Sequence, residues 1–297
     1  MLTRKLPAEW NQWLLQGKNL TIQRNVFMKQ RILSGAVLVA FFAAIIVFNQ
    51  SFPLALNIAV ALISAASIFE LTKALGLARK WFLVVPSLAA AAAVPFCGGN
   101  EMQFLVYCLY TLMLFTAMIL YHHETSFKEV AVLYSMVVLI PCALQTLVTL
   151  RSLSVHHGMF YVLIAVLAAW VADVGAFFAG TFFGKHKLCP EISPKKTVEG
   201  AIGGLVVNVA FVMLCGLFFS QVFYGGEKQV NYLSLFLIGF FGTFVSMLGD
   251  LSFSLIKRSC HIKDFGQVIP GHGGILDRFD SVIFTAPVIY YLAVALM

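Results

Sequence analysis

Charge is what this sequence has least of. Of its 297 residues, 11% are Asp, Glu, Lys or Arg, while 60% are hydrophobic. A soluble domain carries roughly 25% charged residues and about 45–50% apolar ones. This chain has too little charge to cover a globular surface in water, which excludes a soluble enzyme or binding module. It also lacks short alternating segments: its apolar runs are long and continuous, so the spans are helices and not barrel strands. The six cysteines (97, 108, 142, 189, 215 and 260) contain no C-x-x-C pair, and most lie within apolar runs. There a free Cys behaves as a small hydrophobe, which argues against a disulfide framework or a zinc site. No internal repeat is visible, and the polar residues concentrate after residue 170, unlike a transporter built from inverted halves. The charged stretch before the first apolar run is too long for a signal peptide.

What charge there is sums to +7. It sits between the apolar runs, where it orients spans and meets anionic headgroups; it is not the footprint of a nucleic-acid binder. The reading is an all-α polytopic membrane protein. Residues 1–31 form a cytoplasmic or interfacial N-terminal segment, with Trp10, Trp13, Leu14 and Leu15 able to give it an apolar face. Residues 32–297 form a single transmembrane catalytic domain, with a scaffold half at 32–157 and an active-site half at 158–297. About nine transmembrane helices are expected, near 32–48, 53–75, 81–97, 102–121, 129–150, 158–183, 200–224, 231–256 and 279–296. The Lys and Arg counts of alternate connections put the N-terminus in the cytoplasm and the C-terminus outside, with Arg151 voting the other way. Both long polar connections, 184–199 and 257–278, then face the cytoplasm, where nucleoside triphosphates are available.

Four groups of residues could carry chemistry. Asp173 lies roughly 16 Å from the cytoplasmic end of its span at helical rise, a depth where a carboxylate must be paired or face a wet cavity. Downstream, Gly180 and Gly184 form a G-x-x-x-G pair that suits close helix packing, and their spacing to Lys185 does not make a P-loop. Next, Ser193-Pro194-Lys195-Lys196-Thr197-Val198-Glu199-Gly200 places two lysines beside a helix N-terminus, an anion site, with Thr197 as a cap and Glu199 suiting the dipole. Third, Asp250, Ser254 and Lys257 fall on one helical face, leaving open an Asp250–Lys257 pair that merely eases burial. Fourth, Asp277 and Asp280 are one turn apart at the start of the last span. With Asp250 they can converge on one cation, and oxygen-only ligands point to Mg²⁺. His272 has no second His at ligand spacing and suits a phosphate contact or a turn better than a metal.

The stretch Ser254–Asp280 reads S-L-I-K-R-S-C-H-I-K-D-F-G-Q-V-I-P-G-H-G-G-I-L-D-R-F-D. From Ser254 through Lys257-Arg258, Lys263-Asp264, His272-Gly273-Gly274 and Asp277-Arg278 to Asp280, it resembles the signature of the phosphatidate cytidylyltransferase, or CDP-diacylglycerol synthase, family at every fixed position. The Ser193–Gly200 run is similar to a second stretch of that family. Asp173-Val174-Gly175-Ala176-Phe177 departs from it slightly: the family more often has a hydroxyl residue after the Asp and Tyr at the last place. The resemblance is strong over about 170–280 and elsewhere rests on hydropathy.

The resemblance implies transfer of the cytidylyl group of CTP to phosphatidic acid, giving CDP-diacylglycerol and pyrophosphate. It implies Asp250, Asp277 and Asp280 on Mg²⁺, with a second cation left open, and Asp250, Lys257, Asp277 and Asp280 as the catalytic set. Lys195, Lys196, Arg258, Lys263, His272, Gly273, Gly274, Arg278, Asp173 and Ser254 would contact substrate, with Asp173 on the cavity wall. CTP and phosphatidic acid are the expected partners, with no nucleic acid; a homodimer is compatible with the sequence but not specified by it. The expected location is a bacterial inner membrane, with the site facing the cytoplasm. A CTP-dependent polyprenol kinase is the nearest enzymatic rival. A cation channel or carrier would also bury Asp173 and Asp250, but has no use for a loop of four cations and three glycines. The D-G-x-x-A-R helix of CDP-alcohol phosphatidyltransferases is absent.

Overall fold

The computed structural model describes residues 44–45, 51–153, 158–224, 231–269 and 273–296. The 1–31 segment and nearly all of the expected 32–48 span lie outside the described residues. The helices are α1 (Leu54–Ala74), α2 (Trp81–Ala93), α3 (Asn100–Leu120), α4 (Phe127–Leu153), α5 (Gly158–Phe183), α6 (Val198–Tyr224), α7 (Tyr232–Ser259) and α8 (Leu276–Leu296). Seven of them are long and apolar enough to cross a membrane. The exception is α2, which with the 3₁₀ turn Val94–Phe96 makes only the short apolar helix Trp81–Phe96. Its composition reads as a span, but it falls short of the ~20 residues that a crossing needs. The structure is also not purely helical. Strands β1 (Lys187–Cys189) and β2 (Ser193–Thr197) form an antiparallel hairpin between α5 and α6.

Two helix pairings hold the active-site half together. The more extensive is α5 on α6, and the next is α7 on α8. Small residues allow the first: a Cβ on Gly204 would stand 2.8 Å from the Ala172 carbonyl and 3.0 Å from the Ala176 Cβ. The G-x-x-x-G pair does what its spacing suggests, since Gly180 and Gly184 both lie against Thr197 at the head of α6. Side chains with almost no exposure, among them Ile68, Leu71, Leu144, Ile164, Phe253 and Ile283, fill the spaces between helices. Large apolar residues on α3 and α6, such as Phe104, Leu112, Ile202 and Phe218, face outward, as lipid-facing positions do.

Arg151, the cation that spoils the charge alternation, is tied down. It bonds the Pro53 carbonyl and, at 3.1 Å, Asn57 Oδ1. A side chain held by the neighbouring helix start carries little information about orientation.

Candidate active site

Four chain segments end at one place. The C-terminal ends of α5 and α7 and the N-terminal ends of α6 and α8 surround a cavity of about 560 Å³, and both polar connections contribute to its wall. A cap sets each entrance. Thr197 Oγ1 accepts from the Gly200 N–H at 3.1 Å, closing the first turn of α6 as expected of an N-cap. Glu199 accepts from the backbone N–H of Lys185 at 3.0 Å and of His186 at 3.1 Å, and pairs with His186 Nδ1 at 2.6 Å. That carboxylate fixes the base of the hairpin, and the hairpin carries Lys195 and Lys196 to the cavity.

The ion pairs run between helices, not along one. Lys257 Nζ lies 2.9 Å from Asp277 Oδ1 and 3.8 Å from Asp280 Oδ2, both on α8. Asp250 instead pairs with Lys196 of the hairpin and accepts from Ser254 Oγ at 3.4 Å. The Asp250–Lys257 pair that helical spacing allows is therefore not the one formed. Asp277 is the most engaged carboxylate: its Oδ2 accepts from the Phe265 N–H at 2.8 Å and the Gly274 N–H at 3.0 Å. It fastens the loop to the helix while Lys257 occupies its other oxygen.

Asp173 and Asp280 meet through a residue that the sequence reading left without a role. Ser281 Oγ donates to Asp173 Oδ2 at 3.0 Å, and the Ser281 N–H donates to Asp280 Oδ1 at 2.8 Å. Asp250 lines the same cavity as Asp173 and Asp280. Three carboxylates from α5, α7 and α8 thus share the deep wall of the cavity. Hard oxygen donors of this kind fit Mg²⁺, which keeps waters and takes phosphate oxygens. Among the described residues, no three His, Cys, Asp or Glu side chains already stand as a metal cage. Arg278 lines the same cavity, and its buried Nε has no hydrogen-bond partner among the described residues.

The other expected residues divide cleanly. Asp173, Lys195, Lys196, Asp250, Lys257, Asp277, Arg278 and Asp280 all line the cavity, as does Asp264. Arg258 and Lys263 do not: both are exposed, and Arg258 leans back toward the Ile262 carbonyl. For Arg258 the reason is rotation. One step from Lys257 turns a helical side chain about 100° away from the face that meets α8. Ser254 reaches the site only through Asp250. Gly273 sits at φ +86, a conformation that suits glycine, and Gly274 is packed against a carboxylate. His272 lies outside the described residues.

That carboxylate, Glu70, comes from the scaffold half. It is 3% exposed and accepts from the N–H groups of Ile275 and Leu276, each at 2.9 Å. An acidic residue within the apolar run of α1 was the available signal, because such residues are rarely idle.

Comparison with known proteins gives the family of the chain. The model of the cytidylyltransferase family matches residues 29–296. The chain belongs to that family. A phosphatidate cytidylyltransferase of Bacillus subtilis is 32% identical over 278 residues, covering 90% of this chain and 98% of its own. One of Staphylococcus saprophyticus is 32% identical over 221 residues, covering 72% of this chain and 81% of its own. One of Synechocystis is 43% identical over 140 residues, covering 47% of this chain and 45% of its own.

Proposed function

We infer that this membrane enzyme transfers the cytidylyl group of CTP to phosphatidic acid, giving CDP-diacylglycerol and pyrophosphate. The observation that carries the reading is the cavity. It gathers Lys195, Lys196, Lys257, Arg278 and five aspartates at one end of a largely apolar helix bundle. A lipid phosphate and a nucleoside triphosphate both need such a place, and the relatives matched over most of the chain bear the name of this activity.

The chemistry asks little of a base. A phosphate monoester has a second pKa near 6, so phosphatidate arrives largely ionised at pH 7. One of its phosphate oxygens attacks the α-phosphorus of CTP. The bond from that phosphorus to the β-phosphate oxygen breaks, and pyrophosphate leaves with the electron pair. What the chain supplies is position and charge. Lys195 and Lys196, held by the Glu199-fixed hairpin, grip the triphosphate. Arg278, which lines the cavity, takes a phosphate oxygen through its guanidinium. Lys257 transfers from Asp277 to a phosphate when the nucleotide arrives, which frees Asp277 Oδ1.

Asp250, Asp280 and the released Asp277 would hold Mg²⁺, and a bound Mg²⁺ neutralises charge on the triphosphate. Asp173 and Ser281 keep Asp280 turned toward the cavity. The cavity faces the cytoplasm of a bacterial inner membrane in this reading, supported by the basic residues in the two connections that form it.

The test is direct. Purified protein given radiolabelled CTP, phosphatidate and Mg²⁺ should yield a labelled liponucleotide and one pyrophosphate per turnover. Release of CDP with a phosphorylated lipid would establish the kinase reading instead.

A further inference from the structure

We propose that Glu70 is a positioning residue for the reaction: a carboxylate of the scaffold half that sets where the first turn of α8 begins, and so where Asp277 and Asp280 stand. The inference rests on the cytidylyl-transfer reading and adds to it a residue 205 positions before Ile275, far outside the signature.

The geometry is specific. The first N–H groups of a helix have no partner within the helix. On α6 a local side chain, Thr197, supplies one. On α8 the partners come from another helix. Glu70 Oε1 accepts from Ile275 and Oε2 from Leu276, the residue at which α8 starts, both at 2.9 Å. A carboxylate there also complements the positive end of the helix dipole.

The surrounding loop is shaped to admit it. A Cβ on Gly266 would stand 2.4 Å from Glu70 Oε1, and one on Gly274 would stand 2.4 Å from Oε2. Neither glycine carries a positive φ, so what a side chain at either position would meet is the Glu70 carboxylate, which would have to shift. The loop and the helix start are therefore clamped twice, by Asp277 from within α8 and by Glu70 from α1.

Glu70 does not line the cavity and so touches neither substrate. Its loss should reach the reaction only through the placement of α8. Misplacing reacting groups by about 1 Å can cost ~100-fold in rate. Glu70→Ala should therefore lower kcat by about tenfold to a hundredfold, with the KM for CTP changed by less than about threefold. Glu70→Gln keeps the shape and one acceptor, and should fall between wild type and Ala. It also serves as the decisive variant should Ala fail to fold. Gly274→Ala pushes the carboxylate off its two N–H groups, so it should mimic Glu70→Ala.

The Glu70→Ala/Gly274→Ala double variant should be no slower than the worse single one, because both remove the same contact. Losses that multiply in the double variant would overturn the proposal. So would a kcat per folded molecule that stays at the wild-type value in Glu70→Gln while thermal stability falls, since that marks a purely structural role. Wild-type protein that makes no liponucleotide would refute the cytidylyl-transfer reading instead, so the two failures are distinguishable.

Discussion

Lys257 of α7 stands 2.9 Å from Asp277 Oδ1 of α8, and the same ammonium lies 3.8 Å from Asp280. A single cation thus holds together two carboxylates that would otherwise repel one another across a buried helix junction. Lys257 is only 9% exposed, so this is an interior pair and not a screened surface contact.

Lys257→Met should therefore be damaging in two ways. Removing one partner of a buried pair leaves uncompensated charge, at a cost of about 3–5 kcal/mol. The variant should show a clearly lower melting temperature in detergent, and the molecules that fold should be inactive. Wild-type stability in Lys257→Met would contradict the pairing described here.

The aspartates should separate by role. Asp250→Asn and Asp280→Asn should each lower turnover by about a hundredfold or more while the helices remain folded, as expected when charge aimed at the reacting phosphates is lost. Asp277→Asn should lower both turnover and stability, because its Oδ2 also accepts from Phe265 and Gly274. Steady-state rates beside thermal melts check both statements. Near-normal rates in any two of the three would refute the metal assignment.

Two basic residues of the chain make a contrast. Lys196 lines the cavity, and Arg258 does not. Lys196→Ala should raise the KM for CTP about tenfold or more, the scale of one lost hydrogen bond between charged groups. Arg258→Ala should change it by less than about threefold, as for an exposed charge.

Chelation offers a test without mutation. Excess EDTA should stop turnover, and added Mg²⁺ should restore it, since oxygen-only donors favour that ion. Activity that persists in chelator would remove the metal from the mechanism.

The packing of α5 on α6 can be probed through Gly204. A leucine there would drive its Cβ to within 2.8 Å of the Ala172 carbonyl. Overpacking of this kind costs about 1–3 kcal/mol or more. Gly204→Leu should lower the melting temperature and also slow turnover, because separating α5 from α6 moves Asp173 away from the hairpin lysines. Unchanged melting would mean that the two helices are less tightly joined than they stand here.

By itself, the sequence determined the class of molecule and the chemistry of its working end. Sustained apolar runs leave a backbone no stable choice in lipid but helices, and eight of the polar residues that stood out along the chain line one cavity, while Ser254, Arg258 and Lys263 do not. Spacing along one helix gave which side chains share a face: Asp250 and Ser254 are bonded as their four-residue separation allows. Only the tertiary structure decided the partners across helices. Lys257 chose Asp277 over Asp250, Arg258 and Lys263 stayed outside, and Glu70 reached 205 residues along the chain to Ile275. The physical reason is that a one-dimensional pattern reports periodicity. Which helix faces which, and at what rotation, is set by how small and large side chains fit together in three dimensions.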